Sequence, residues 1–161
     1  MKDSIGRSWQ MGTIQLDFQQ PRRFKLQYVD KDGSLKTPIA IHRVIYGSLE
    51  RFIGILIEHF AGNFPTWLTP VQVKVLPISE KHLKYANEIF NKLKENEIRV
   101  EIDERNETLG NKIRNAQNEK VSYMLIVGDK EQKNNTVSKR GRSGKDYGEH
   151  KLEKFISDIK K

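Results

Sequence analysis

The side chains able to do chemistry are few and dispersed. The four histidines are His42, His59, His82 and His150. They form no HExxH and no close pair on one face, and a catalytic zinc usually takes three protein ligands. Cysteine is absent, which removes disulfides, thiolate metal sites and a cysteine nucleophile. There is no GxxxxGKS/T phosphate loop and no GxSxG elbow. Read locally, His42 is a hydrogen-bonded core histidine in a strand. Arg51 is more unusual. It follows Glu50 in the first turn of an apolar helical segment, where the helix dipole disfavours a cation. It needs either a carboxylate, with Glu50 and Asp17 as candidates, or a bound anion.

The other candidate is a basic run from Lys130 to Lys145. It holds Lys130, Lys133, Lys139, Arg140, Arg142 and Lys145 against Glu131 alone, a net +5. Gly141 and Gly144 let the backbone bend close to a partner, and Tyr123 and Tyr147 are the aromatics near enough to stack on a base. The run is either a solvated charged loop or a patch that neutralises phosphates. The whole chain, 161 residues with 29 Lys+Arg against 21 Asp+Glu, carries a formal +8. That surplus favours an anionic partner such as nucleic acid. No apolar run approaches the ~20 residues of a membrane span, and the opening MKDSIGRSWQ has no apolar signal-peptide region. A cytoplasmic protein is expected.

The elements that must position these residues divide at Gly62-Asn63-Phe64-Pro65-Thr66-Trp67-Leu68-Thr69-Pro70, where a helix-ending glycine and two prolines stop regular structure. Domains are expected at 1–64 and 65–161. In the first, Met11–Phe18 alternates Ile14, Leu16 and Phe18 with polar residues, a half-buried strand. Lys25–Val29 and Pro38–Ile45 flank Asp30-Lys31-Asp32-Gly33-Ser34, a hairpin signal. Ser48 can cap a helix whose Leu49, Phe52, Ile53, Leu56, Ile57 and Phe60 form a wide apolar stripe, so a well-buried helix is expected. Close packing is expected at Gly54.

In the second part, Val71–Ile78 reads as a strand. Ser79 can cap a helix to about Asn96, with Leu83, Ala86, Ile89, Phe90 and Leu93 inward. Ile98–Ile102 is a strand, Thr108 to about Glu119 a helix, and Val121–Val127 a nearly continuous apolar strand covered on both faces. Gly128-Asp129-Lys130 turns the chain. Short polar strands follow at Asn134–Lys139 and near Tyr147, then a helix at Leu152–Ile159. The class is α/β, with a mixed sheet of about five strands and about three helices.

Several segments occur in one order: GRSWQMGTIQLDF, IHRVIYGSLERFIGILIEHFAG, FPTWLTPVQVKVLPI, DERNETLGNKIRNAQ, YMLIVGDKE and GKDYG. Together they resemble the C-terminal part of the threonyl-tRNA synthetase family, class II aminoacyl-tRNA ligases, over essentially the whole chain. GSLERFIGILIEHF resembles the third class II motif, and VQVKVLPI onward resembles the anticodon-binding domain.

The resemblance implies an incomplete antiparallel-sheet catalytic remnant followed by an anticodon-binding domain. It makes Arg51 the arginine that contacts ATP, with Gly47 and Ser48 lining the same pocket and Gln10 near ATP. Thr13 and Gln15 fall at the substrate pocket. His42 becomes a zinc ligand whose partners are absent from the chain. That zinc would grip the threonine hydroxyl, the kind of contact that rejects an isostere lacking it. Asn106, Glu131 and Arg140 fall where anticodon bases are read, and Lys130, Lys139 and Arg142 where the RNA backbone is positioned.

The parent enzyme is implied to use ATP with magnesium, to hold zinc and to act as a homodimer on threonine tRNA. This chain alone is expected to be a fragment, inactive and binding no cofactor. A non-catalytic RNA-binding module of the same fold is the alternative. The chain departs from the family's usual residues at Met11, Glu97 (a helix-ending glycine), Thr108 (Lys), Ser122 (Pro), Lys139 and Gly141.

Overall fold

A computed structural model describes residues 1–160. The chain forms two compact units, Met1–Gly62 and Asn63 onward.

In the first unit, β1 (Thr13–Asp17) is followed by the short helix α1 (Gln19–Arg23), then β2 (Tyr28–Val29), β3 (Leu35–Lys36), β4 (Ala40–Val44) and α2 (Leu49–Phe60). The hairpin forms around Asp30–Ser34, but its second arm is β3. The segment expected as that arm, β4, pairs antiparallel with β1 instead, Gln15 facing His42. The turn is held by Gly33, at φ +79°, and by Asp32 accepting from Ser34 N–H at 2.9 Å. A two-residue ladder is all it closes, because Pro38 cannot donate to a continuing ladder.

The expected N-cap of α2 is present: Ser48 Oγ accepts from Arg51 N–H at 3.3 Å. Left-handed Ala61 (φ +48°) and Gly62 (φ +74°) end the helix, with Gly62 N–H reaching Ile57 O. Its expected burial does not occur. Only Ile55 is buried, while Leu49, Ile53 and Ile57 stay about half exposed or more. Gly54 has open space where a Cβ would stand, so no close packing explains it. The amphipathic pattern is present without a second layer to bury it in this unit.

The second unit is a closed α/β layer structure. Its elements are β5 (Val73–Pro77), a 3-10 turn Glu80–His82, α3 (Leu83–Glu95), β6 (Val100–Ile102), α4 (Leu109–Asn118), β7 (Tyr123–Val127), α5 (Asp129–Asn134), β8 (Thr136–Gly141), β9 (Asp146–Lys151) and α6 (Leu152–Ile159). The sheet order is β6-β5-β7-β8-β9. β5 lies parallel to β6 and β7, and β8 antiparallel to β7 and β9. This is the expected mixed five-stranded sheet.

β7 is central, and Met124 to Val127 are buried. Val73, Val75, Leu125, Val127 and Val137 face one core with Ala86, Ile89 and Leu93 of α3 and Phe155 of α6. Leu76, Met124 and Ile126 face another core with Ala116 of α4.

Two local readings are corrected. Ser79 does not cap a helix backbone; its hydroxyl meets His82 Nδ1 at 3.0 Å, and a 3-10 turn precedes α3. Gly128-Asp129-Lys130 is the start of the short helix α5 rather than a simple turn, because Glu131 Oε2 reaches back to accept Gly128 N–H at 3.0 Å. Glu97, where the resemblance leads one to expect a helix-ending glycine, has the left-handed backbone (φ +61°) without being glycine. Thr108 caps α4 by accepting from Asn111 N–H at 3.4 Å. No helix among the described residues is long and apolar enough to cross a membrane.

Candidate functional site

In the first unit the β1–β4 ladder puts Thr13, Gln15 and Asp17 on one face with His42 and Val44. His42 is not a core residue. Its ring is about half exposed, and Nε2 lies 3.1 Å from Asp17 Oδ2. Asp17 also accepts the Gln19 and Gln20 N–H groups, and those bonds together with His42 hold its carboxyl below the usual range. Gln15, Asp17, Gln19, Gln20 and His42 line an open cleft.

Gly47 turns the chain into α2 with φ +66°, and a Cβ there would stand 3.3 Å from Met11 O. Any larger residue would therefore press on the Gln10–Met11 backbone that precedes β1. Ser48 Oγ also donates to Glu50 Oε2 at 2.8 Å. With Glu50 and Asp17 so engaged, Arg51 has neither of the carboxylate partners considered for it. Its guanidinium lies 5.3 Å from the centroid of the Trp9 ring, which Arg7 approaches to 5.6 Å.

Sequence reasoning did not single out Trp9 or Asp3. Asp3 accepts from Trp9 Nε1 (2.9 Å), Arg7 Nε (2.7 Å) and two backbone N–H groups. The Trp9 bond leads the effects that hold its carboxyl down at about 2. Nothing in the polar segment Met1–Trp9 marks Asp3 as buried, so no sequence signal pointed to it. The result is an exposed cation at a helix N-terminus, over an aromatic face and beside a glycine that permits close approach. That donor set fits a phosphate-bearing nucleotide.

Zinc is different. Among the described residues no group of three or more His, Cys, Asp or Glu could hold a metal. The residues of this chain do not by themselves fit a zinc site.

In the second unit the expected RNA residues separate. Asn106 sits in the loop after β6, exposed and with no protein hydrogen bond for its amide among the described residues. Glu131 stands just beyond β7, so both lie at the carboxyl pole of the parallel strands, where ligands of such sheets gather. Arg140 pairs in register with Met124 and Asp146, which puts it on the α4 side of the sheet. There it donates to Asp146 Oδ2 at 3.2 Å, while its Nε is buried without a partner.

That side of β8 and β9 is polar. Glu149 accepts from Thr136 Oγ1 at 2.5 Å and Asn134 at 2.9 Å and pairs with Lys130 at 3.2 Å. These contacts, the Thr136 bond first, hold its carboxyl at about 2. Lys130 itself is exposed.

Lys139 and Arg142 do not lie beside Arg140. Lys139 points to the opposite face, its ammonium 4.6 Å from the Tyr123 centroid, 5.1 Å from Tyr147 and 5.5 Å from Phe155. Arg142 Nη2 donates to Phe64 O (2.9 Å) and Ser122 Oγ (3.0 Å), and burial lowers its pKa. The basic run comprises a helix, a strand and a turn, and a strand sends neighbouring side chains to opposite faces.

The matches to known proteins follow the same division. The model of the anticodon binding domain matches residues 72–161. The model of the tRNA synthetase class II core domain (G, H, P, S and T) matches residues 1–60. The chain belongs to the anticodon binding domain family, preceded here by class II core sequence.

It is 62% identical over 161 residues to a threonine–tRNA ligase of Caldanaerobacter subterraneus subsp. tengcongensis, covering 100% of this chain and 25% of that protein. A Clostridium tetani threonine–tRNA ligase is 58% identical over 159 residues, covering 99% and 25%. The chain thus spans about a quarter of the length of these relatives. The RNA binding domain of threonyl-tRNA synthetase from Cryptosporidium parvum Iowa II superposes with a TM-score of 0.82 at 38% identity, covering 99% of this chain and 40% of that one.

Proposed function

We propose that this chain is the carboxy-terminal segment of a cytoplasmic threonine–tRNA ligase, whose second unit reads the anticodon of threonine tRNA. The observation that carries the reading is the carboxyl pole of the second unit. An unengaged amide at Asn106 and a carboxylate at Glu131 flank the parallel strands, and Arg140 stands on the adjoining polar face. Amide, carboxylate and guanidinium are the groups suited to base edges on splayed single-stranded RNA. Lys130 supplies a charge that positions the backbone. Arg142 has a structural role, and Lys139 acts through the aromatic face it sits on.

The first unit contributes part of the site that activates threonine with ATP, as its magnesium complex, to threonyl-adenylate in the whole enzyme. Arg51 would neutralise phosphate charge at the helix start, where the free N–H groups add to it. Ser48 fixes that helix start and Gly47 keeps the approach open. Gln10 lies in the segment before β1 whose backbone meets Gly47, and Thr13 and Gln15 face the amino-acid side of the ladder. A zinc role for His42 would need further donors from outside the described residues. The homodimer of the parent enzyme is likewise carried by the resemblance.

The chain alone is expected to give no ATP–pyrophosphate exchange above background, and real turnover would contradict that part of the reading. The RNA part is tested by binding to a threonine tRNA anticodon stem-loop, expected to be preferred over loops with substituted anticodons.

A further inference from the structure

We propose that Lys112 is a positioning residue for anticodon reading: its buried ammonium clamps the Asp103–Glu107 loop and so fixes the exposed amide of Asn106. The inference rests on the anticodon-reading function proposed above.

Lys112 is only 3% exposed. On α4 it takes a place in the inward stripe with Leu109, Ile113 and Ala116, three and four residues apart. A leucine or methionine would pack there at no electrostatic cost, whereas a buried ammonium is costly unless its protons are satisfied. Here two of the three are taken by backbone carbonyls, and no carboxylate stands within ion-pair distance among the described residues. Nζ donates to Pro77 O at 2.9 Å and to Asp103 O at 3.1 Å. One side chain thus ties the end of β5 to the residue that follows β6.

The rest of the loop is held from the same point. Asp103 N–H donates to Val75 O at 3.0 Å. The Asp103 carboxylate, itself 3% exposed, accepts from Arg105 Nε at 2.8 Å and Arg105 Nη2 at 2.5 Å. Arg105 also stands 3.6 Å from Glu107, whose N–H reaches Arg105 O at 2.9 Å. The residues on both sides of Asn106 are therefore pinned, while the exposed Asn106 side chain has no hydrogen-bond partner among the described residues. A reading group whose neighbours are locked loses little freedom on binding.

The test measures binding of the full chain to two synthetic stem-loops, the threonine anticodon loop and the same loop with one anticodon base substituted. Lys112→Met, Arg105→Ala, Asn106→Ala and the double variant Asn106→Ala/Lys112→Met are compared with the wild type.

The expected result is a roughly tenfold fall in the preference ratio for Lys112→Met, matching Asn106→Ala. Affinity for the substituted loop and the salt slope should be unchanged. The double variant should be no worse than Asn106→Ala alone, the coupling of two residues acting through one contact. A Lys112→Met chain that keeps the ratio while Asn106→Ala loses it overturns the inference and leaves the anticodon reading intact. A Lys112→Met chain that fails to fold passes the decision to Arg105→Ala, which opens the same clamp from the surface and must lower the ratio for the inference to stand. A wild type without any preference overturns the anticodon reading, and the inference with it.

Discussion

In the first unit the longest helix, α2, buries one residue, Ile55, whereas α3 in the second buries Ala86, Ile89 and Leu93. Both helices carry the spacing of a core-facing element. The difference lies in what stands opposite. β5 and β6 give α3 a sheet to cover, while the two-stranded β1–β4 ladder gives α2 none within its own unit. Eighteen large apolar side chains are exposed in the first unit and three in the second, Trp67, Ile78 and Tyr147. So much apolar surface marks an interaction face. It accords with the match of residues 1–60 to a catalytic core and of 72–161 to a separate binding domain. A periodic sequence specifies a face, and burial of that face is a property of its partner.

The contrast can be broken most directly through stability. Leu125→Ala, at a fully buried position of β7, should cost about 3 kcal/mol in urea unfolding followed by β7 amide exchange. Ile57→Ala in α2 should cost less than about 1 kcal/mol, and equal losses would erase the distinction between the units.

Within the second unit, Arg142→Ala should cost about 2 kcal/mol of stability by removing the charge-assisted bonds from Nη2 to Phe64 O and Ser122 Oγ, with the anticodon preference kept. Arg140→Ala should do the reverse, keeping the fold and losing about 1–3 kcal/mol of preference. A swap of these phenotypes would return Arg142 to the RNA face.

Acid sharpens the comparison, since each unit holds one carboxyl at about 2, Asp3 and Glu149. Lowered folded values mean that the contribution is complete above the unfolded values near 4 and is lost as pH falls toward 2. NMR should show the Trp9 indole N–H shifting over that window in the first unit. The Glu149 contacts with Thr136 and Asn134 should open in the second. Asp3→Asn should abolish only the former.

The smallest effect is expected for Lys130→Ala. Binding to all RNAs should weaken alike, with a salt slope about one unit flatter. A change in anticodon preference would make Lys130 a reading residue.

What the sequence made legible follows the same line. The continuous apolar run of β7 and the Ser48 cap are local patterns that formed as read, whereas β1 formed as a strand without its expected half-burial, leaving Ile14, Leu16 and Phe18 exposed. The pairing of β4 with β1 was not legible, because the Asp-Gly turn signals a hairpin without saying where its ladder stops. Helix α5 was hidden because its start depends on Glu131 bonding back to Gly128 N–H. The charged run from Lys130 to Lys145 gave the right composition but no faces, so Arg140, Lys139 and Arg142 could not be separated until strand register did so. Lys112 left a readable trace, a cation inside an apolar stripe. Trp9 beneath Arg51 left none, since that contact joins residues from separate elements.

The most direct measurement is the affinity of this chain for a threonine tRNA anticodon stem-loop and for anticodon-substituted loops, across several salt concentrations. The account predicts a preference for the threonine anticodon that persists as salt rises and disappears in Asn106→Ala or Arg140→Ala. Equal affinity for all loops, falling together with salt and indifferent to both substitutions, would contradict it.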